Sequence, residues 1–255
     1  MIEQREFFVD GLRLTGGVAT IEEPKASVIL CHGLPSGYPD EPGDRGYPGF
    51  AEIVAEAGFR AWWFNFRGAR DSQGEFTLGG WINDLHAVIR EVTEDGLPVF
   101  AVGSSAGGAV ALSVAAESTS VDGVATLAAP AVWRKGPNRS NETLIDHARR
   151  VGIIKRGSPR DEDSWWAEFE TNRPEWAAAL MAGRPLLVVH GTADEVVPPD
   201  HAQRIFDGAT EPKVLVMLEG ASHQLRREER AVEAVLSWLK EQVDALSRAA
   251  LDSDG

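Results

Sequence analysis

A single cysteine, Cys31, in 255 residues rules out an internal disulfide. Its place in the apolar run Val28-Ile29-Leu30-Cys31 marks it as a buried strand thiol rather than a nucleophile. No apolar stretch approaches the ~18 residues a membrane span needs, and no basic segment followed by an apolar one opens the chain. A cytoplasmic protein with no membrane partner is expected. Positive charge is scarce: 25 Lys and Arg face 39 Asp and Glu, a net charge of -14. Such a field repels phosphates and excludes nucleic acid as a general partner. Internal repeats and low-complexity tracts are absent. No spacing of His, Cys, Asp or Glu suits a metal, and no organic cofactor is implied.

What is present is alternation. Asp10-Gly11 separates Glu6–Asp10 from Arg13–Thr20 and predicts an opening β-hairpin. Continuous apolar runs at Ser27–Cys31, Ala61–Phe66, Val99–Val102, Val124–Ala128, Leu186–Val189 and Val214–Leu218 suit strands covered on both faces. Helical stretches at Gly49–Ala57, Gly80–Glu94, Ser105–Ala116, Pro199–Phe206 and Arg227–Leu246 separate most of them. The length and this order predict one doubly wound α/β domain over residues 1–255, mostly parallel, with helices on both faces. From Ala131 to Ala182 no strand is expected, and Trp133, Trp165, Trp166 and Trp176 concentrate there. That interval reads as an inserted helical cap whose tryptophans either line a substrate pocket or pack the insert onto the body.

Gly103-Ser104-Ser105-Ala106-Gly107 lies between an apolar run and a small-residue helical run. This is the strand-turn-helix setting of a nucleophile elbow, in which glycines two before and two after the serine remove side chains where backbones nearly touch. Ser105 has both glycines. Ser104 has Val102 and Ala106 at those positions and lacks both clearances. A serine nucleophile needs a histidine to take its proton and a carboxylate to hold that histidine. His190-Gly191-Thr192-Ala193-Asp194 follows one predicted strand, and Gly220-Ala221-Ser222-His223 follows the next.

With these motifs the chain resembles an α/β-hydrolase over nearly its whole length except the insert. Asn65-Phe66-Arg67-Gly68-Ala69-Arg70-Asp71-Ser72-Gln73-Gly74 is similar to the R-G-x-x-x-S-x-G segment of short-cap esterases, including feruloyl esterases, and of serine-aminopeptidase-like hydrolases. Ser104 and Ala106 flank the serine where that subgroup often has His or Gln. The resemblance implies a chain order of nucleophile, acid and base, hence Ser105, Asp194 and His223, with Glu195 and Asp200 as substitutes for the acid. It also implies an oxyanion hole made by the N–H groups of Ala106 and, in the His32-Gly33-Leu34 loop, Leu34, with His32 structural. His86, His147 and His201 are expected to be ordinary core or surface residues. The Pro/Gly-rich loop Pro35–Asp44 is a local elaboration beside the expected hole.

The implied activity is hydrolysis of carboxylic esters or thioesters through an acyl-enzyme. Small-peptide amidase chemistry on the same triad is the alternative, and a non-catalytic binding protein on this fold is a third reading. Serine at the elbow disfavours an aspartate-nucleophile dehalogenase. The expected partner is a small-molecule acyl substrate, and a homodimer is compatible with the chain. Between Ala131 and Arg160, Arg134, Lys135, Arg139, Arg149, Arg150, Lys155, Arg156 and Arg160 outnumber Glu142 and Asp146. That basic run either grips an anionic substrate tail or docks the insert on acidic surroundings.

Overall fold

The computed structural model describes residues 1–37, 42–134 and 142–253. The middle of the Pro35–Asp44 loop, together with Lys135 and Arg139 of the basic run, therefore lies outside the described residues. The strands are β1 (Ile2–Val9), β2 (Leu12–Ala19), β3 (Ser27–Cys31), β4 (Arg60–Phe64), β5 (Val99–Ser104), β6 (Gly123–Leu127), β7 (Leu186–Gly191) and β8 (Lys213–Leu218). The helices are α1 (Gly46–Glu56), α2 (Leu78–Val92), α3 (Ala106–Glu117), α4 (Leu144–Arg150), α5 (Glu162–Thr171), α6 (Pro174–Ala179), α7 (Asp200–Gly208) and α8 (Glu229–Ser253). All the predicted strands form. Helix boundaries shift by a few residues, as at α1, which starts at Gly46, and α8, which runs on to Ser253.

One eight-stranded sheet has the order β1-β2-β4-β3-β5-β6-β7-β8. β1, β2 and β4 pair antiparallel in turn, and every later pairing is parallel. Asp10 and Gly11 close the first hairpin with φ of 52° and 74°, the pair of positive values that matches strand twist in a two-residue turn. Period-2 alternation sorts the central strands between two cores. Ile29 and Cys31 of β3 face a cluster with α2, α3 and α7, whereas Val28 and Leu30 face α1 and α8. On α8, Ala231, Val235, Trp238, Leu239 and Val243 carry that contact at helical spacing.

Among the described residues of 131–182 there is no strand, and α4, α5 and α6 occupy the interval. Ile145, Ala148, Trp165, Trp166 and Phe169 join the same cluster as α2 and α3, so these helices pack onto the body. No helix of the described residues is long and apolar enough to cross a membrane.

One buried ion pair ties three parts of this body together. Asp84 of α2, fully buried, receives the Arg67 backbone N–H at 2.8 Å and its guanidinium at 2.9 and 2.7 Å, while Arg67 also reaches Asp10 of the hairpin turn at 2.8 Å. Removing one partner strands a buried charge, which typically costs about 3–5 kcal/mol. Asp84→Ala is therefore expected to lower the unfolding midpoint by several degrees in a thermal melt. A change within the scatter of surface substitutions would contradict this account.

Candidate active site

The sheet reverses its winding between β3 and β5, where the chain moves first to β4 and then across to β5. Loops leaving adjacent strands part at such a point and open a crevice at their carboxyl ends. Ser105 follows β5, Gly33 and Leu34 follow β3, Asp194 follows β7 and His223 follows β8. All open on this end of the sheet.

Ser105 has φ 51° and ψ -124°, a conformation a non-glycine residue holds only where its surroundings enforce it. Its N–H donates to the Leu127 carbonyl at 2.7 Å. The predicted clearances are real and tight. A Cβ on Gly103 would lie 2.5 Å from the Gly107 carbonyl oxygen, and one on Gly107 would lie 2.4 Å from the carbonyl oxygens of both Cys31 and His32. Gly33 is equally constrained, since its Cβ would meet the Ser105 Cβ at 2.9 Å.

Ser105 Oγ lies 3.0 Å from His223 Nε2, and His223 Nδ1 lies 2.7 Å from Asp194 Oδ2. The carboxylate's other oxygen accepts the N–H groups of Val196 and Val197, each at 2.9 Å. Burial by itself would raise the Asp194 pKa, but the hydrogen bonds from His190, His223 and Val197 outweigh it and hold the group well below the usual carboxylate range. The loops carrying acid and base are locked together. Ala193 N–H donates to the Ala221 carbonyl at 3.0 Å, and a Cβ on Gly191 would lie 2.1 Å from that same oxygen. Glu195 and Asp200, the substitutes for the acid, are exposed.

His32 gives the β3 loop its direction. Its Nδ1–H donates to the Gly33 carbonyl at 2.7 Å while its Nε2 accepts the Phe66 N–H at 3.0 Å. Burial pushes its pKa down to about 4, so the ring stays neutral and can accept and donate at once. In a trans peptide, a Gly33 carbonyl turned to His32 aims the Leu34 N–H the opposite way. Neither the Leu34 nor the Ala106 N–H is engaged by another described residue.

The insert reaches this loop through a residue that sequence reasoning set aside. His147 of α4 donates from Nε2 to the Pro35 carbonyl at 2.8 Å, a contact across 112 positions that no local pattern announces. His201 accepts the Ala131 N–H at 2.9 Å, and His86 lies 3.3 Å from Glu117 on the surface. Buried Cys31 has its thiol pKa raised by desolvation.

Three of the four tryptophans gather on Phe169, and the fourth lies apart from that ring cluster. Trp165 and Trp166 are buried against each other and Phe169, with Trp165 Nε1–H bonded to the Phe76 carbonyl at 3.2 Å. Trp133 is half-buried, edge-on to Phe169, and donates to the Asn172 carbonyl at 2.9 Å. Trp176 is 54% exposed beneath the Arg173 guanidinium. In the basic run, Arg149 pairs with Glu162 at 2.6 Å, Arg150 with Glu142 at 2.7 Å and Lys155 with Glu75 at 3.5 Å. Much of that charge is thus met by carboxylates of the chain itself.

Fold and site define an α/β-hydrolase. A profile of the family described as "Serine aminopeptidase, S33" matches residues 22–153, just over half of the sequence, and the chain belongs to that family. A curated relative, the uncharacterized protein YfhR of Escherichia coli K12, is 24% identical over 176 residues, covering 67% of this chain and 55% of the relative. The chain thus spans about half the length of the curated relatives it matches. Among solved structures, the esterase domain of a Rhodothermus marinus protein superimposes with a TM-score of 0.70 at 23% identity, over 95% of this chain and 99% of that one. Est1E of Butyrivibrio proteoclasticus, with ferulic acid bound, gives a TM-score of 0.73 at 20% identity over 94% and 99%.

Two outcomes follow from this geometry. Gly107→Ala must displace the β3 loop or the elbow, so it is expected to lower both the unfolding midpoint and the reactivity of Ser105. Because the folded Asp194 pKa lies below the ordinary value near 3.9, its ionised form adds stability above that pH, which drains away as pH falls towards the folded value. The stability gap between wild type and Asp194→Asn, read from melts at pH 7 and below pH 4, is expected to shrink on acidification.

Proposed function

We propose that this hydrolase cleaves carboxylic esters or thioesters of small to medium acyl groups through an acyl-enzyme. The observation that carries the reading is the continuous relay from Ser105 Oγ to His223 Nε2 at 3.0 Å and from His223 Nδ1 to Asp194 Oδ2 at 2.7 Å. Ser105 attacks the acyl carbon as His223 takes its proton, and Asp194 holds the imidazole in the tautomer that can accept it. The tetrahedral oxyanion is received by the N–H groups of Leu34 and Ala106, whose directions are set before substrate arrives. His223 then protonates the leaving group, and water repeats the cycle on the acyl-serine. The esterase domain and the ferulate-bound Est1E among its structural neighbours weigh towards esters.

A second reading, aminopeptidase or amidase activity on small peptides, is favoured by the family's own description. It differs only in asking His223 to protonate an amine. A binding protein without catalysis is disfavoured, because serine, imidazole and carboxylate are all in place.

Mass spectrometry after exposure to a fluorophosphonate is expected to show one adduct, on Ser105, absent from Ser105→Ala. A panel of p-nitrophenyl esters and aminoacyl p-nitroanilides separates the two readings, with faster ester turnover expected. Asp194→Asn, which leaves the geometry but fixes the wrong tautomer, is expected to lower kcat by about 10,000-fold with the circular dichroism spectrum unchanged. A folded wild type that takes no label would sink the catalytic reading.

A further inference from the structure

His190 has no role in the relay just described, yet it is buried completely at the end of β7, four residues before Asp194. Its Nε2 lies 2.9 Å from the Val197 carbonyl oxygen and 3.2 Å from Asp194 Oδ2. Both neighbours are acceptors, so Nε2 carries the proton and shares it between them. The other nitrogen, Nδ1, is buried with no hydrogen-bond partner among the described residues. A buried polar atom left unpaired is a cost that leucine at this position would avoid, so packing gives no reason for histidine. The Nε2–H, directed at the carboxylate that holds His223, does.

We propose that His190 is a positioning residue of the Ser105 site, fixing the Asp194 carboxylate and drawing off part of the charge that His223 feels. The inference rests on the assignment of Ser105, His223 and Asp194 as the reacting relay. Oδ1 takes two backbone N–H groups, and Oδ2 takes His223 Nδ1–H and His190 Nε2–H. With donors on both oxygens the carboxylate cannot rotate away as His223 changes charge. The proton from His190 also competes on Oδ2 for electron density that would otherwise stabilise the imidazolium. His223 therefore gives its proton to the leaving group more readily than it would opposite an unshared carboxylate. The ionisable groups around His190 are Asp194, His223 through it, and His201 on α7.

The test is the pH dependence of fluorophosphonate labelling and of kcat/KM on a p-nitrophenyl ester, normalised to titratable Ser105. It compares wild type with His190→Leu, His190→Asn and His190→Gln. Leucine removes the donor, and the shorter asparagine amide cannot carry it to Oδ2, so either decides the matter if the other folds poorly. Glutamine places an N–H near the Nε2 position. The acid limb is expected to move up by about half a pH unit or more in the leucine and asparagine variants and to return in glutamine. The low-field resonance of the His223 Nδ1 proton should move with it. Superimposable acid limbs in all four proteins, or equal shifts in all three variants, overturn the inference while leaving the relay intact. A wild type that fails to label, or a Ser105→Ala protein that labels equally, removes the relay itself and the inference with it.

Discussion

The site depends on three backbones meeting with no side chain between them. The end of β5, the first turn of α3 and the loop after β3 converge on Gly103 and Gly107, where any Cβ would sit well inside contact distance of a carbonyl oxygen. That convergence forces Ser105 into its positive-φ conformation and presents Oγ above the sheet. It also sets the N-terminus of α3 and the Leu34 N–H beside the same point. The Ser105 hydroxyl and the N–H groups proposed to receive the oxyanion are thus placed by one close approach.

Around that point the remaining groups are held by hydrogen bonds that run from loop to loop. His32, kept neutral by burial, ties the β3 loop to Phe66 in the segment after β4. The Asp194 loop donates a hydrogen bond, from Ala193 N–H, to the Ala221 carbonyl on the chain approaching His223, and the carboxylate itself is surrounded by donors. The α4 helix fastens the Pro35 carbonyl through His147. A site on loops acquires the rigidity of a sheet when each loop is cross-linked to the next. The Arg67–Asp84 pair does the same for the body, joining the segment after β4 to α2 and the opening hairpin.

Much of this was legible in the sequence, for identifiable reasons. Asp10-Gly11 specifies its turn because few residue pairs tolerate two positive φ values. The apolar runs specify buried parallel strands because both faces are covered. Gly103 and Gly107 flag the elbow because the steric demand is absolute, and the order of Ser105, Asp194 and His223 follows from the order of the strands that carry them. The insert was legible only as an absence of strands. Its tryptophans could pack inward or lie outside, and Trp165 and Trp176 took opposite courses because α5 joins the core while the Trp176 face of α6 is left to solvent.

By itself, then, the sequence determined the strand succession, the elbow and the residues that could serve as nucleophile, acid and base, since each rests on a local steric rule or on chain order. Only the tertiary structure decided that His223 lies within hydrogen-bond reach of Ser105 across 118 positions, that His147 rather than a residue of its own loop grips Pro35, and that His190 shares Asp194. These contacts join residues whose spacing carries no periodicity, and they exist because the twisted sheet brings the ends of separate strands to one place. Proton position and carboxylate charge are set there, by burial and by donors supplied from several elements, which no stretch of chain contains alone.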